Sequence, residues 1–219
     1  HEVNMAWKRW QIHRCRMPTG LGDSGWILHG LVRSMKPEVC VEIGSAHGYS
    51  TCLISLALHQ NLKGHLWAVD PHQVNHWSDD NPDGTLESLR RNLWRVGVHH
   101  RVDIVQKNTA DAIDDLPKTI DFAFIDGDHS YEGVKQDWEI ISPRMSPFGV
   151  VVFHDTLWDR KADDPYYKKW RRDGMGVPGF IEELRCKGYP VITLDGDWGL
   201  SLIQATTKGV SLARQPESE

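Results

Sequence analysis

The chain has 219 residues, 40% of them hydrophobic and 25% charged, with a formal net charge of −5. That size suits one domain with elaborations, and the apolar share allows a sizeable core. The acidic balance argues against a nucleic-acid partner, which demands a basic footprint. No apolar run reaches the length of a membrane span, and the first residues lack a signal-peptide pattern.

Strand-like and helix-like patterns alternate from residue 38 onward. "EVCVEIG" (38–44) reads as a buried strand, and "YSTCLISLALHQ" (49–60) follows with Cys52, Leu53, Leu56 and Ala57 at helical spacing. "GHLWAVD" (64–70) is a second strand; Leu86, Leu89, Leu93 and Val96 then stripe a helix over about 84–97. "RVDIVQKN" (101–108) and "IDFAFID" (120–126) are strands three and four. Val134, Trp138 and Ile141 mark a helix that stops before Pro143, and "GVVVFHD" (149–155) is strand five. Phe180, Ile181 and Leu184 anchor a late helix ending near Gly188. "PVITLDGDWGLSLIQA" (190–205) leaves no room for a helix between its two β-rich runs, which predicts an antiparallel hairpin.

This order predicts an α/β fold: a mostly parallel sheet with helices on both faces. It divides the chain into an N-terminal helical arm or cap (1–37), an α/β domain (38–205) and a polar tail (206–219). Cys15, Cys40, Cys52 and Cys186 show no CxxC spacing and no paired framework. Buried thiols are expected at Cys40 and Cys52, and reduced, cytoplasmic residence follows.

"VEIGSAHGYS" (41–50) places Glu42 ahead of Gly44 and Gly48 at the start of a helix. Glycines there let backbone N–H groups approach a ligand at the helix N terminus. The pattern is not GxGxxG, so a dinucleotide pyrophosphate is disfavoured and an NAD-dependent oxidoreductase lacks its fingerprint. The second strand ends in Asp70, placed to bind ribose hydroxyls. Glu42, Gly44, Gly48 and Asp70 together resemble the S-adenosylmethionine site of class I methyltransferases. That resemblance implies a Rossmann-like, doubly wound, seven-stranded sheet closed by the reversed hairpin. It also implies cofactor contacts from Glu42, Gly44, Ser45, Gly48, Tyr49, Ser50, Asp70 and His72. Asn108 and Thr109, in "QKNTADAIDDLP" (106–117), would lie near the adenine, with Asp126 contributing as well.

"FIDGDHSYEGV" (124–134) and "GVVVFHDT" (149–156) carry the most specific part of the likeness. They resemble the cation-dependent small-molecule O-methyltransferases, of the catechol and caffeoyl-CoA type and of the macrocin and aminocoumarin sugar type. Metal ligands would be Asp126, His154 and Asp155, brought together at the ends of neighbouring parallel strands. Two carboxylates suit Mg²⁺. The imidazole tilts preference toward Mn²⁺ or another transition metal, or else His154 orients Asp155 without binding the ion. The cation would hold an acceptor hydroxyl and lower its pKa. His129 and Asp128 are the two candidates for the general base, His129 titrating nearer neutrality.

The segment 156–178 mixes Trp158, Tyr166, Tyr167 and Trp170 with basic residues, as a lid over an aromatic or sugar acceptor would. His72, His76 and Trp77 are candidates for the opposite wall. "MAWKRWQIHRCRM" (5–17) is an arm that covers the pocket or meets a second copy of the chain in a homo-oligomer. Two rival readings stay open: a metal-independent methyltransferase acting on N or O, and a non-catalytic module that keeps the cofactor pocket.

Overall fold

The computed structural model describes residues 20–73, 84–161 and 176–205. Its seven strands form one mixed, mostly parallel sheet. The chain divides into two compact units, His1–Leu116 and Pro117–Glu219, taken here in turn.

In the first unit, α1 (Gly25–Met35) follows a short 3-10 turn, then come β1 (Val39–Ile43), α2 (Tyr49–Asn61), β2 (His65–Val69), α3 (Gly84–Val96) and β3 (Val102–Val105). β1 pairs in parallel with β2, and β2 with β3. Helix α2 is buried at every position from Ser50 to Leu58. Its core stripe (Cys52, Leu53, Leu56) meets Leu89, Leu93 and Val96 of α3, the positions whose spacing predicted both helices. Gly25 lets α1 lie close to α2: a Cβ there would sit 2.7 Å from both Leu53 Cδ1 and Tyr49 Cε1.

The second unit holds β4 (Ile120–Ile125), α4 (Tyr131–Ile141), β5 (Met145–Phe153), α5 (Trp158–Lys161), α6 (Val177–Cys186), β6 (Val191–Leu194) and β7 (Leu200–Gln204). β4 and β5 are parallel; β7 runs antiparallel to β5 and to β6, as the predicted hairpin requires. Phe122, Phe124, Phe153 and Phe180 are fully buried here. Strand five begins four residues earlier than its apolar run suggests. Ile120 pairs with Met145 but Phe122 with Val150, so β5 bulges at Pro147 and Phe148, whose φ is 64°. Cys40 and Cys52 are buried free thiols, while Cys186 is exposed. Among the described residues no helix is long and apolar enough to cross a membrane.

Candidate functional site

In the first unit the chain leaves β1 through Gly44 (φ 87°), whose N–H donates to the Val69 carbonyl at 2.8 Å. It enters α2 at Gly48 (φ 90°), where a Cβ would meet Leu89 Cδ1 at 2.5 Å. Only glycine fits there, on conformation and on space alike. Gly48 caps α2 without a side-chain acceptor. Asp70 ties this turn to the end of β2: its Oδ2 accepts from the Ala46 N–H at 2.8 Å and its Oδ1 from the His72 N–H at 2.7 Å. Each carboxylate oxygen keeps a second lone pair, so ribose hydroxyls remain acceptable partners. The glycine turn, the uncapped helix start and Asp70 therefore fit an adenosyl ligand that carries a carboxylate.

Other expected cofactor residues occupy different surroundings. Glu42 is completely buried on β1, and Ser45 and Ser50 are 2% and 7% exposed. Tyr49 turns its hydroxyl to the Gly22 carbonyl (2.9 Å) and packs beside α1. The His72 ring is fully buried, with Nδ1 2.9 Å from Thr85 Oγ1 and Nε2 3.5 Å from Ser45 Oγ. Burial, helped by Arg90 and His47, pushes its pKa below the ordinary value despite Asp70, so the ring stays neutral and braces the turn from within. Asn108 is exposed and its carbonyl accepts from the Asp111 and Ala112 N–H groups; Thr109 is buried. Thr85, and Asn92 holding the His47 carbonyl at 3.0 Å, also shape this turn. Neither carries a local sequence signal, because they reach the turn from a helix over forty residues away in the case of Asn92.

In the second unit Asp126 follows β4, and His154 follows β5 while still donating its N–H to the Ile125 carbonyl at 3.2 Å. Asp155 then adopts a left-handed conformation, φ 58°, which aspartate tolerates better than most residues. One donor atom from each of Asp126, His154 and Asp155 lies within 4.8 Å of the others. His154 and Asp155 are both 4% exposed. His154 Nδ1 sits 3.1 Å from Asp126 Oδ1 and 3.4 Å from Asp155 Oδ1. His129 joins the group, with Nε2 3.2 Å from both Asp126 Oδ1 and Asp155 Oδ2. Asp155 Oδ1 and His154 Nε2 are buried without a hydrogen-bond partner.

The charges of this quartet are interdependent. Burial would raise the Asp126 carboxyl, but His154 and His129 hold it well below the usual carboxylate range. Burial would lower His154, yet the charges of Asp155 and Asp126 push it up to about 9. His129 is likewise raised, burial being outweighed by the Asp126 hydrogen bond and the Asp155 charge. Asp155 is raised, burial dominating over the two imidazoles. A half-buried and a buried carboxylate converging on one point, the buried one with an oxygen lacking a donor, form a donor set that fits a divalent cation.

Asp128 stands apart from this quartet. Its Oδ1 accepts the Ser130 N–H at 2.9 Å, and its side chain lies over Gly133, where a Cβ would come within 2.3 Å of Asp128 Cγ. With Ser130 capping the Gly133 N–H at 3.0 Å, it closes the start of α4. Trp158, expected on a lid, is instead 5% exposed and stacked on Trp198 with centroids 4.0 Å apart. Tyr166, Tyr167, Trp170, His76, Trp77 and the segment 5–17 lie outside the described residues.

Comparison with known proteins adds three relatives. The uncharacterized protein y4gI of Sinorhizobium fredii is 30% identical over 177 residues, 70% of this chain and 18% of that protein. Caffeoyl-CoA O-methyltransferase 2 of Zea mays is 25% identical over 169 residues, 73% of this chain and 59% of the enzyme. The chain thus spans less than two thirds of either relative's length. The O-methyltransferase TomG of Streptomyces achromogenes, involved in tomaymycin synthesis and crystallised with SAM, superposes with a TM-score of 0.63. It covers 93% of this chain and 89% of that one at 22% identity, a likeness of fold. A family model described as a methyltransferase domain matches residues 41–156, more than half of the sequence. The glycine turn, Asp70 and the Asp126–His154–Asp155 cluster all fall within that span, and the chain belongs to the methyltransferase-domain family.

Proposed function

We propose that the chain is an O-methyltransferase using S-adenosyl-L-methionine and a divalent cation, Mg²⁺ or Mn²⁺. Its acceptor would be a hydroxyl of a small metabolite: a sugar, a catechol-like ring or another natural product. The observation that carries this reading is the convergence of Asp126, His154 and Asp155 within 4.8 Å, with His129 against both carboxylates. The relation to the Zea mays enzyme points the same way. Free Cys40 and Cys52 accord with a cytoplasmic setting.

When bound, the cofactor would supply the methyl group and the cation would acidify a coordinated hydroxyl. Gly44, Gly48 and Asp70 would hold the cofactor; Asp126, His154 and Asp155 would hold the cation. His129, whose Nε2 lies 3.2 Å from both Asp126 Oδ1 and Asp155 Oδ2, would be the group that takes the hydroxyl proton. His129 would carry that proton away from the acceptor oxygen while Gly44, Gly48 and Asp70 would keep the cofactor in place. Asp128, held by the Ser130 N–H, serves the helix start in this reading rather than the proton.

A metal-independent reading has one observation in its favour: each imidazole lies within 3.4 Å of both carboxylates, the spacing of an ion-pair network. Chelation separates the two. Methyl transfer to a catechol or sugar acceptor should vanish after thorough metal removal and return with Mn²⁺ or Mg²⁺. Undiminished transfer by the stripped protein would leave the cluster as an ion-pair network only.

A further inference from the structure

The hairpin joining β6 to β7 lies against the turn that carries Asp155. Its position is set by register: Phe153 pairs with Ser201 in the antiparallel β5–β7 ladder. Residues 196–199 are therefore delivered beside residues 154–158, and three kinds of contact fasten them there. The Leu157 N–H donates to the Trp198 carbonyl at 2.9 Å, and the Thr156 N–H to the Gly199 carbonyl at 3.4 Å. Trp158 stacks on Trp198 at 4.0 Å and 21°, both rings nearly buried. Gly199 (φ 92°) touches Leu157 so closely that a Cβ would lie 2.8 Å from its backbone nitrogen. The hairpin turn is itself fixed by the Gly199 N–H donating to the Gly196 carbonyl at 2.7 Å.

We infer that Trp198 and Gly199 are positioning residues for the cation cluster, strapping the post-β5 turn so that Asp155 keeps its left-handed backbone. A non-glycine residue in that region costs on the order of 1 kcal/mol and persists where its surroundings fix it. Within the 155–158 turn itself, only the Trp158 N–H to Asp155 carbonyl contact at 3.3 Å closes it. The better-formed contacts come from the hairpin, more than forty residues later in the chain. The strap thus gives the hairpin a role toward the proposed cation beyond completing the sheet.

This inference rests on the proposed cation site, and its test keeps the two apart. Mn²⁺ dissociation constants are measured calorimetrically on the full metal-free chain well below its melting temperature, for wild type, Asp155→Ala, Trp198→Ala, Trp198→Phe and Gly199→Ala. Loosening a group that orients ligands typically weakens metal binding about 10–100-fold. Trp198→Ala and Gly199→Ala should show that loss, while Trp198→Phe, which keeps a stacking ring, should stay within about twofold of wild type. A purely structural role would lower the melting temperature and leave the dissociation constant of the folded protein unchanged; that result overturns the inference. Wild type failing to bind Mn²⁺ would instead sink the cation site. The strap is then judged by a metal-free readout, the imidazole NMR resonances of His129 and His154. These should move in Trp198→Ala and Gly199→Ala, and unchanged resonances would overturn it.

Discussion

Asp126→Asn tests the electrostatics of the cluster without changing its shape. In the metal-free protein Asp126 Oδ1 faces both His129 Nε2 (3.2 Å) and His154 Nδ1 (3.1 Å). His154 rises from 6.5 to about 9 in the folded chain, worth about 3 kcal/mol at ~1.4 kcal/mol per pH unit, most of it expressed at pH 7. Asp155 contributes to the same rise, so the amide should forfeit roughly half, about 1–2 kcal/mol. Relief of repulsion with Asp155, whose proton affinity Asp126 helps to raise, makes this an upper range. In a chain of this size the loss lowers the melting temperature by roughly 2–8 °C. The sign with pH follows from the raised imidazole. Its contribution is complete below 6.5 and is lost as pH climbs through about 9. Thermal melts of stripped wild type and Asp126→Asn should therefore differ most in mildly acidic buffer and converge above about pH 9–10. Equal stability in mild acid, or a gap that persists in alkali, would refute this account of the quartet.

Two further substitutions bear on the proposed chemistry. His129→Gln should cut kcat/KM by about 10²–10⁴-fold, the usual worth of a positioned base, while Asp128→Asn should leave kcat within a few-fold; steady-state kinetics with one acceptor distinguishes them. Asp70→Ala removes the carboxylate proposed for the ribose hydroxyls and loosens the turn it ties through the Ala46 and His72 N–H groups, so affinity for S-adenosylhomocysteine should fall at least tenfold by titration calorimetry, a hydrogen bond to a charged group being worth about 1.5–3 kcal/mol.

Much of the architecture was legible because each layer leaves its own period in the sequence. Leu89, Leu93 and Val96 fall three and four apart and do form the buried face of α3. The β6–β7 hairpin was legible from length alone, since Asp195–Gly199 cannot hold a helix. The early start of β5 was not, because Pro147 precedes the apolar run that marks the strand, whereas the bulge at Phe148 accommodates it within the strand. At the site, the family resemblance grouped Asp126, His154 and Asp155, and the parallel neighbours β4 and β5 do end side by side. The partners that hold these residues were not legible. Thr85 on His72, and Trp198 on Trp158, meet through tertiary register rather than local spacing. Whether Asp128 or His129 faces the cluster turned on side-chain direction. The sequence places both within three residues of Asp126, and only the turn geometry sends Asp128 to the Ser130 N–H.

As a ligand, His154 would decide which cation the proposed site prefers, and a substitution tests whether it is one. Its Nδ1 faces both carboxylates, at 3.1 and 3.4 Å, a position compatible with sharing an ion or with a hydrogen bond to Asp126 beside the charge of Asp155. As a ligand, imidazole favours Mn²⁺ over Mg²⁺, which takes oxygen donors and keeps its waters. His154→Asp exchanges that nitrogen for a third carboxylate, so the Mn²⁺/Mg²⁺ affinity ratio should fall by about tenfold or more, the Mg²⁺ affinity holding or rising. The same change costs the metal-free fold, because three carboxylates, two of them at buried positions, repel once the imidazole between them is gone. A cation should then raise the variant's melting temperature by more than it raises wild type's. If both affinities drop together and the ratio stays fixed, His154 only orients Asp155, and cation choice is set by the two aspartates.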